Sequence, residues 1–122
     1  MRFAWLAIAA AVIASAVAGG DAHAAKSFET GNDLWMMCGS TSTGLPPARC
    51  ESYVIGTFDG YQTISQYNAI NGPRICAVGD ISNHQITDVV RRYFEIHPED
   101  RHYSAASSIY VALSQAFPCR TK

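Results

Sequence analysis

The sequence predicts an all-α domain, a small disulfide-stapled bundle of about four helices, and three observations predict it. Residues 81–119 hold two helical patterns back to back and end on a cysteine. A third apolar pattern, from Cys50 to Ile64, keeps the helical period. No run alternates with period two over a convincing length, and there are no heptads and no internal repeat, so neither a sheet nor a coiled coil is indicated.

The chain opens on an address. Residues 1–24 carry one positive charge at Arg2, an apolar run over 3–18 and a small-x-small site at Ala22-His23-Ala24, the pattern of a secretory signal peptide cleaved before Ala25. The apolar run is shorter than the roughly 20 residues needed to span a bilayer. No cysteine follows it where a lipoprotein needs one, so stable membrane insertion is not expected and residues 25–122 are read as one exported, soluble helical domain.

Thr30-Gly31-Asn32-Asp33 caps a first short helix, with Asp33 where a capping-box carboxylate sits and Leu34, Trp35, Met37 and Cys38 as its apolar residues. The glycine, serine and threonine of residues 39–45 have loop composition, and Pro46-Pro47 places a proline where a helix begins. Cys50, Tyr53, Val54, Thr57, Phe58, Tyr61 and Ile64 then define a second helix of about four turns. Gly56 and Gly60, four apart, are expected at a close helix crossing. Residues 67–79, with Asn71-Gly72-Pro73 inside, are the longest linker and are expected to be irregular.

The third helix starts at Ser82, whose hydroxyl and the Gln85 side chain form a capping box, with Ile81 and Ile86 placed as a hydrophobic staple. Ile86, Val89, Val90, Tyr93 and Ile96 make its core stripe, leaving Asp88, Arg91, Arg92 and Glu95 for a solvated face. Pro98 stops this helix and opens a new turn, and Glu99 and Asp100 suit the N-terminus of a fourth helix. Ala105, Ala106, Ile109, Ala112, Leu113, Ala116 and Phe117 give that helix a stripe of mostly small residues, and Pro118 ends it.

Of the 122 residues, 48% are hydrophobic and 16% charged, which is ordinary for a globular domain. A net charge of −1 with no basic cluster supplies no field for nucleic acid or an anionic membrane. Four cysteines in a short exported chain, none in a C-x-x-C or zinc-like spacing, imply two disulfides rather than a metal site or a thiol nucleophile. Three pairings are open to the sequence. Cys38 and Cys50 close a short loop between adjacent helices, while Cys76 precedes the third helix and Cys119 follows the fourth, which favours Cys38–Cys50 and Cys76–Cys119. Loop-closure entropy makes each worth about 3–4 kcal/mol.

With helices and cysteines placed, a set of blocks stands out: Thr30-Gly31-Asn32-Asp33-Leu34 then Cys38, Cys50-x-x-Tyr53-Val54-x-Gly56, Cys76, the 86–93 helix, His97-Pro98-Glu99-x-Arg101, and Ala116-Phe117-Pro118-Cys119. In order and spacing these resemble the Rap/Tai domain of periplasmic immunity proteins, over residues 28–119. What the resemblance implies is a small helical binding protein, not an enzyme, that protects a Gram-negative cell from peptidoglycan-cleaving amidases delivered by type VI secretion by occluding their active-site cleft.

The residues themselves offer no catalytic constellation and call for no cofactor. Asp59 and Asp88 are not brought together by spacing, and no nucleophile elbow, phosphate loop or metal motif accompanies them. The polar group His97 to His102 reads first as structural, with Arg101 free to pair with a carboxylate or to cap a helix C-terminus, and second as a partner contact. Exposed tyrosine, arginine and flexible polar segments are the better interface candidates, which nominates Tyr67, Asn68, Asn71 and Arg74 in the linker together with Glu99 and Arg101. Tyr61 and Gln62 fit the same description, but Tyr61 is expected to pack against the last helix. Two other readings remain: an exported interaction module of the cell envelope with no toxin partner, and a hydrolase using a free cysteine. The sequence leaves homodimer formation open.

Overall fold

A computed structural model describes residues 28–68 and 71–120; the signal peptide expected over residues 1–24 lies outside them. Among the described residues there are four helices, α1 (Gly31–Cys38), α2 (Ala48–Gln66), α3 (Asn83–Ile96) and α4 (Ala105–Ala116), with 3-10 turns at Thr41–Thr43 and Pro98–His102. No strand occurs among the described residues beyond two isolated bridges, Thr30 with Ser104 and Ile75 with Pro118. The all-α bundle is therefore as expected. None of the described helices is long and apolar enough to cross a membrane.

The helix starts follow local chemistry. Thr30 and Asp33 exchange side-chain and backbone hydrogen bonds in a capping box on α1, and Ser82 and Gln85 do the same on α3. Pro47 precedes α2 at its N-cap. The start of α4 differs from expectation. Glu99 and Asp100 belong to the Pro98–His102 turn, and α4 begins six residues after Glu99, capped by Ser104, whose hydroxyl accepts from the Ser107 amide. Negative residues favour a helix N-terminus but do not create one; a side chain that satisfies the first orphan amides does.

Leu34 and Cys38 of α1, Val54 of α2, Ile86, Val90 and Phe94 of α3, and Ala105, Ile109, Ala112 and Leu113 of α4 close the core, with Ile75 of the linker. Both disulfides join the expected partners: Cys38 bonds Cys50 across the α1–α2 loop, and Cys76 bonds Cys119. All four cysteines are paired, so a thiol nucleophile would require an opened disulfide.

Two expectations about faces are corrected. The buried arc of α3 runs through Ile86, Thr87, Val90, Arg91 and Phe94, while Ile96 is 56% exposed. At 100° per residue this arc is turned about a quarter of a turn from the predicted stripe. The cause is the α1–α2 loop, which packs against the flank of α3 and offers hydrogen-bond acceptors there, so that a polar flank is buried. Gly56 and Gly60 are the second correction. Both are exposed, and a Cβ built on either meets nothing within 4 Å, so they mark an open face of α2 and not a helix crossing. The close approach is at Gly31, where a Cβ would lie 2.8 Å from the Arg101 backbone and 2.9 Å from the Phe94 ring.

Candidate functional site

Three polar surfaces are built on this frame. The first is the α1–α2 loop, residues 39–45, held from beneath by two side chains of α3. Arg91 is wholly buried. Its Nε donates to the Gly39 carbonyl at 3.3 Å and its Nη1 to the Gly44 carbonyl at 2.8 Å, while Nη2 donates to the Ser40 carbonyl and to Thr43 Oγ1. Asp88 accepts from the same guanidinium at 2.9 Å. One turn further along α3, the Glu95 carboxylate accepts from the Thr41 amide at 2.7 Å, from the Thr41 hydroxyl at 3.0 Å and from the Ser40 hydroxyl. The Ser40 hydroxyl and then the Thr41 amide hold the Glu95 carboxyl down to about 2, against the smaller opposing effect of burial. The Cys38–Cys50 disulfide brackets the loop. Outward from this anchorage, Ser42, Thr43, Gly44 and Leu45 are exposed, Leu45 to 75%.

The second surface is the Pro98–His102 turn. Arg101 reaches back to cap α3, donating from Nε at 2.9 Å and from Nη2 at 2.5 Å to the Phe94 carbonyl, and its guanidinium lies 3.9 Å from the centre of the Trp35 ring. The Tyr93 hydroxyl donates to the Asp100 carboxylate, and burial followed by that bond pushes the phenol up to about 12. Glu99 points outward, its carboxylate 3.1 Å from His97 Nδ1 and held below the usual range by its own backbone amide and then by His97. His97, Glu99 and Asp100 bring three potential metal ligands within 4.8 Å of one another, while His97 Nδ1 pairs with Glu99 and the Asp100 carboxylate accepts from Tyr93. A cleft of about 280 Å³ lies beside the turn, lined by Tyr93, Asp100, Tyr103, Ser107, Ser108 and Val111.

The third surface is the linker after α2. Arg74 Nη2 donates to the Ser65 carbonyl at 2.6 Å, Tyr110 donates its hydroxyl to the Pro73 carbonyl, and the Cys76 amide bonds the Phe117 carbonyl at 2.8 Å. Tyr67, Asn68 and Asn71 face solvent, Tyr67 to 78%, and Asn68 adopts a positive φ of 52°. Tyr61, as expected, packs inward, with its ring centre 5.1 Å from that of Tyr110 and its hydroxyl 3.1 Å from the Ala106 carbonyl.

The six residues nominated from sequence therefore do not meet in one patch. Tyr67, Asn68, Asn71 and Arg74 follow α2, in the linker whose Pro73 and Cys76 meet Tyr110 and Phe117, whereas Glu99 and Arg101 precede the N-terminus of α4. Arg74 and Arg101 both spend their guanidinium groups on backbone carbonyls. The Arg91 and Glu95 anchorage was not foreseen. Its only trace in the sequence is the pair of charged residues at i and i+4 on one helix, which ordinarily describes a solvated face.

Compared with known proteins, residues 30–119 match the family model described as Rap1a immunity proteins. No curated protein and no solved structure matches the chain.

Proposed function

The chain belongs to the Rap1a immunity protein family, and from that premise we propose that it is a periplasmic binding protein that neutralises a type VI secretion peptidoglycan amidase by occluding its active site. The observation that carries this reading is the extent of the family match, which takes in all four helices and both disulfides. Membership supports an immunity role against a secreted effector. The export signal read at residues 1–24 and the paired cysteines support the periplasm, where such bonds persist.

In this reading the protein acts by steric and hydrogen-bonded exclusion, with no chemistry of its own and no cofactor. Tyr67, Asn68, Asn71 and Arg74 in the linker are the proposed partner contacts, with Glu99 and Arg101 in the Pro98–His102 turn as the rival surface for the same role. The test is inhibition of sacculus hydrolysis by purified papain-like peptidoglycan amidases, one from each type VI effector family. Stoichiometric inhibition of one of them is expected. Undiminished hydrolysis by every amidase at micromolar concentrations of this protein would sink the reading.

A further inference from the structure

We infer that the cleft beside the Pro98–His102 turn is a binding site for a small alkylammonium group, with Asp100 as its counter-ion and the Ser108 hydroxyl as its second hydrogen-bond partner; this goes beyond the immunity reading and does not depend on it. Tyr93 of α3, Asp100 and Tyr103 at the turn, and Ser107, Ser108 and Val111 of α4 enclose about 280 Å³. Ordinary small-molecule sites span roughly 300–1,000 Å³, so this one suits a short carbon chain or a single ring.

Ser108 sets the cleft apart from a surface dent. The residue is only 4% exposed. The helical hydroxyls of Thr57, Thr63, Thr87, Ser107 and Ser114 each donate to a carbonyl three or four residues back. The Ser108 hydroxyl makes no hydrogen bond among the described residues, although its amide bonds the Ser104 carbonyl at 3.1 Å. No enclosed side-chain nitrogen or oxygen lacks a partner among those residues, so this hydroxyl is in touch with the cleft it lines. A hydroxyll withdrawn from bulk water is unfavourable until something pairs it, and here only an occupant of the cleft can.

Asp100 decides the charge of that occupant. Its Oδ2 accepts the Tyr93 hydroxyl, and none of the ion pairs among the described residues includes it. The bases beside it in the chain are engaged elsewhere: His97 Nδ1 meets Glu99, and Arg101 donates to the Phe94 carbonyl. No lysine or arginine lines the cleft. The start of α4 offers an anion little, because the Ala105 amide donates to the Glu29 carbonyl at 2.9 Å and the Ser107 amide to the Ser104 hydroxyl at 3.1 Å. A carboxylate without a cation, an unpaired hydroxyl and two phenol rings suit a primary ammonium, whose N–H groups reach Asp100 and Ser108 while its carbon chain lies along Val111 and the rings.

The experiment titrates the disulfide-bonded protein with cadaverine, acetyl-lysine amide, pentanol and glutarate, following amide NMR shifts, and records the melting temperature of each variant. Saturable shifts at Tyr103, Ser107 and Ser108 are expected with cadaverine or acetyl-lysine amide, and which of the two binds tells a free amine from one borne on a peptide. Asp100→Asn keeps an acceptor for the Tyr93 hydroxyl and should weaken binding at least about tenfold. Ser108→Ala should also weaken binding, with an unchanged or higher melting temperature, since its hydroxyl holds no bond in the fold. A response to pentanol or glutarate equal to that of the amines, no saturable shift with either amine, full affinity in Asp100→Asn, or a lowered melting temperature in Ser108→Ala would each overturn the site.

Discussion

The Glu95 carboxylate on α3 accepts the backbone amide of Thr41 at 2.7 Å across 54 positions of sequence. The Ser40 hydroxyl, and then that bond, hold the Glu95 carboxyl down to about 2 against an ordinary value of 4.5. A carboxyl depressed by folding contributes stability that is fully present above its unfolded value and is lost as pH falls through its folded value. Stability should therefore fall from about pH 4.5 toward about pH 2 through this group. Side-chain NMR titration should place the Glu95 midpoint near 2, and urea denaturation of Glu95→Gln should show a shallower decline over the same window. A Glu95 midpoint near 4.5 would contradict the anchorage.

Arg91 donates to three loop carbonyls, and its removal strands them above the core. Arg91→Met should lower stability by about 3–5 kcal/mol, the usual cost of breaking a buried charged network from one side. Arg91→Lys should recover only part of this loss, because an ammonium cannot reproduce the planar fork. Arg92→Met, on the exposed side of the same helix, should change stability by less than about 0.5 kcal/mol in the same urea titration.

Glycines separate by environment. Gly31→Ala forces a Cβ onto the Arg101 backbone and should cost about 1–3 kcal/mol by overpacking. Gly60→Ala, in the open interior of α2, should instead stabilise by about 0.5–1 kcal/mol through helix propensity and a less disordered unfolded chain. Paired thermal melts of the two variants decide this, and a loss of stability in Gly60→Ala would restore a packing role for that glycine.

The Cys76–Cys119 bond fastens the linker to the end of α4, where the Cys76 amide already meets the Phe117 carbonyl. Cys119→Ser should remove about 2–5 kcal/mol. Non-reducing peptide mapping of the unaltered protein should recover Cys38 with Cys50 and Cys76 with Cys119, and any crossed pair would contradict the helix arrangement.

Leu113 of α4 is fully buried, so Leu113→Ala should cost about 2–5 kcal/mol of stability. Tyr67→Ala, by contrast, should leave the melting temperature nearly unchanged, because its side chain is largely in water. Comparison of the two by calorimetry separates residues that hold the fold from residues open to a partner.

What the sequence by itself determined was local or combinatorial. Thr30 with Asp33 and Ser82 with Gln85 cap their helices because each pair satisfies orphan amides within three residues, and no distant group is needed. The cysteine pairing was legible because four cysteines allow few arrangements and helix order favours one of them. The tertiary structure alone decided that Arg91 is buried while Ile96 is exposed, and that Gly31, not Gly56 or Gly60, marks the close approach. A helical wheel ranks side chains by their own transfer preference. Whether a guanidinium can leave water depends on acceptors such as the Gly39, Ser40 and Gly44 carbonyls, which only the folded chain carries some fifty positions to meet it.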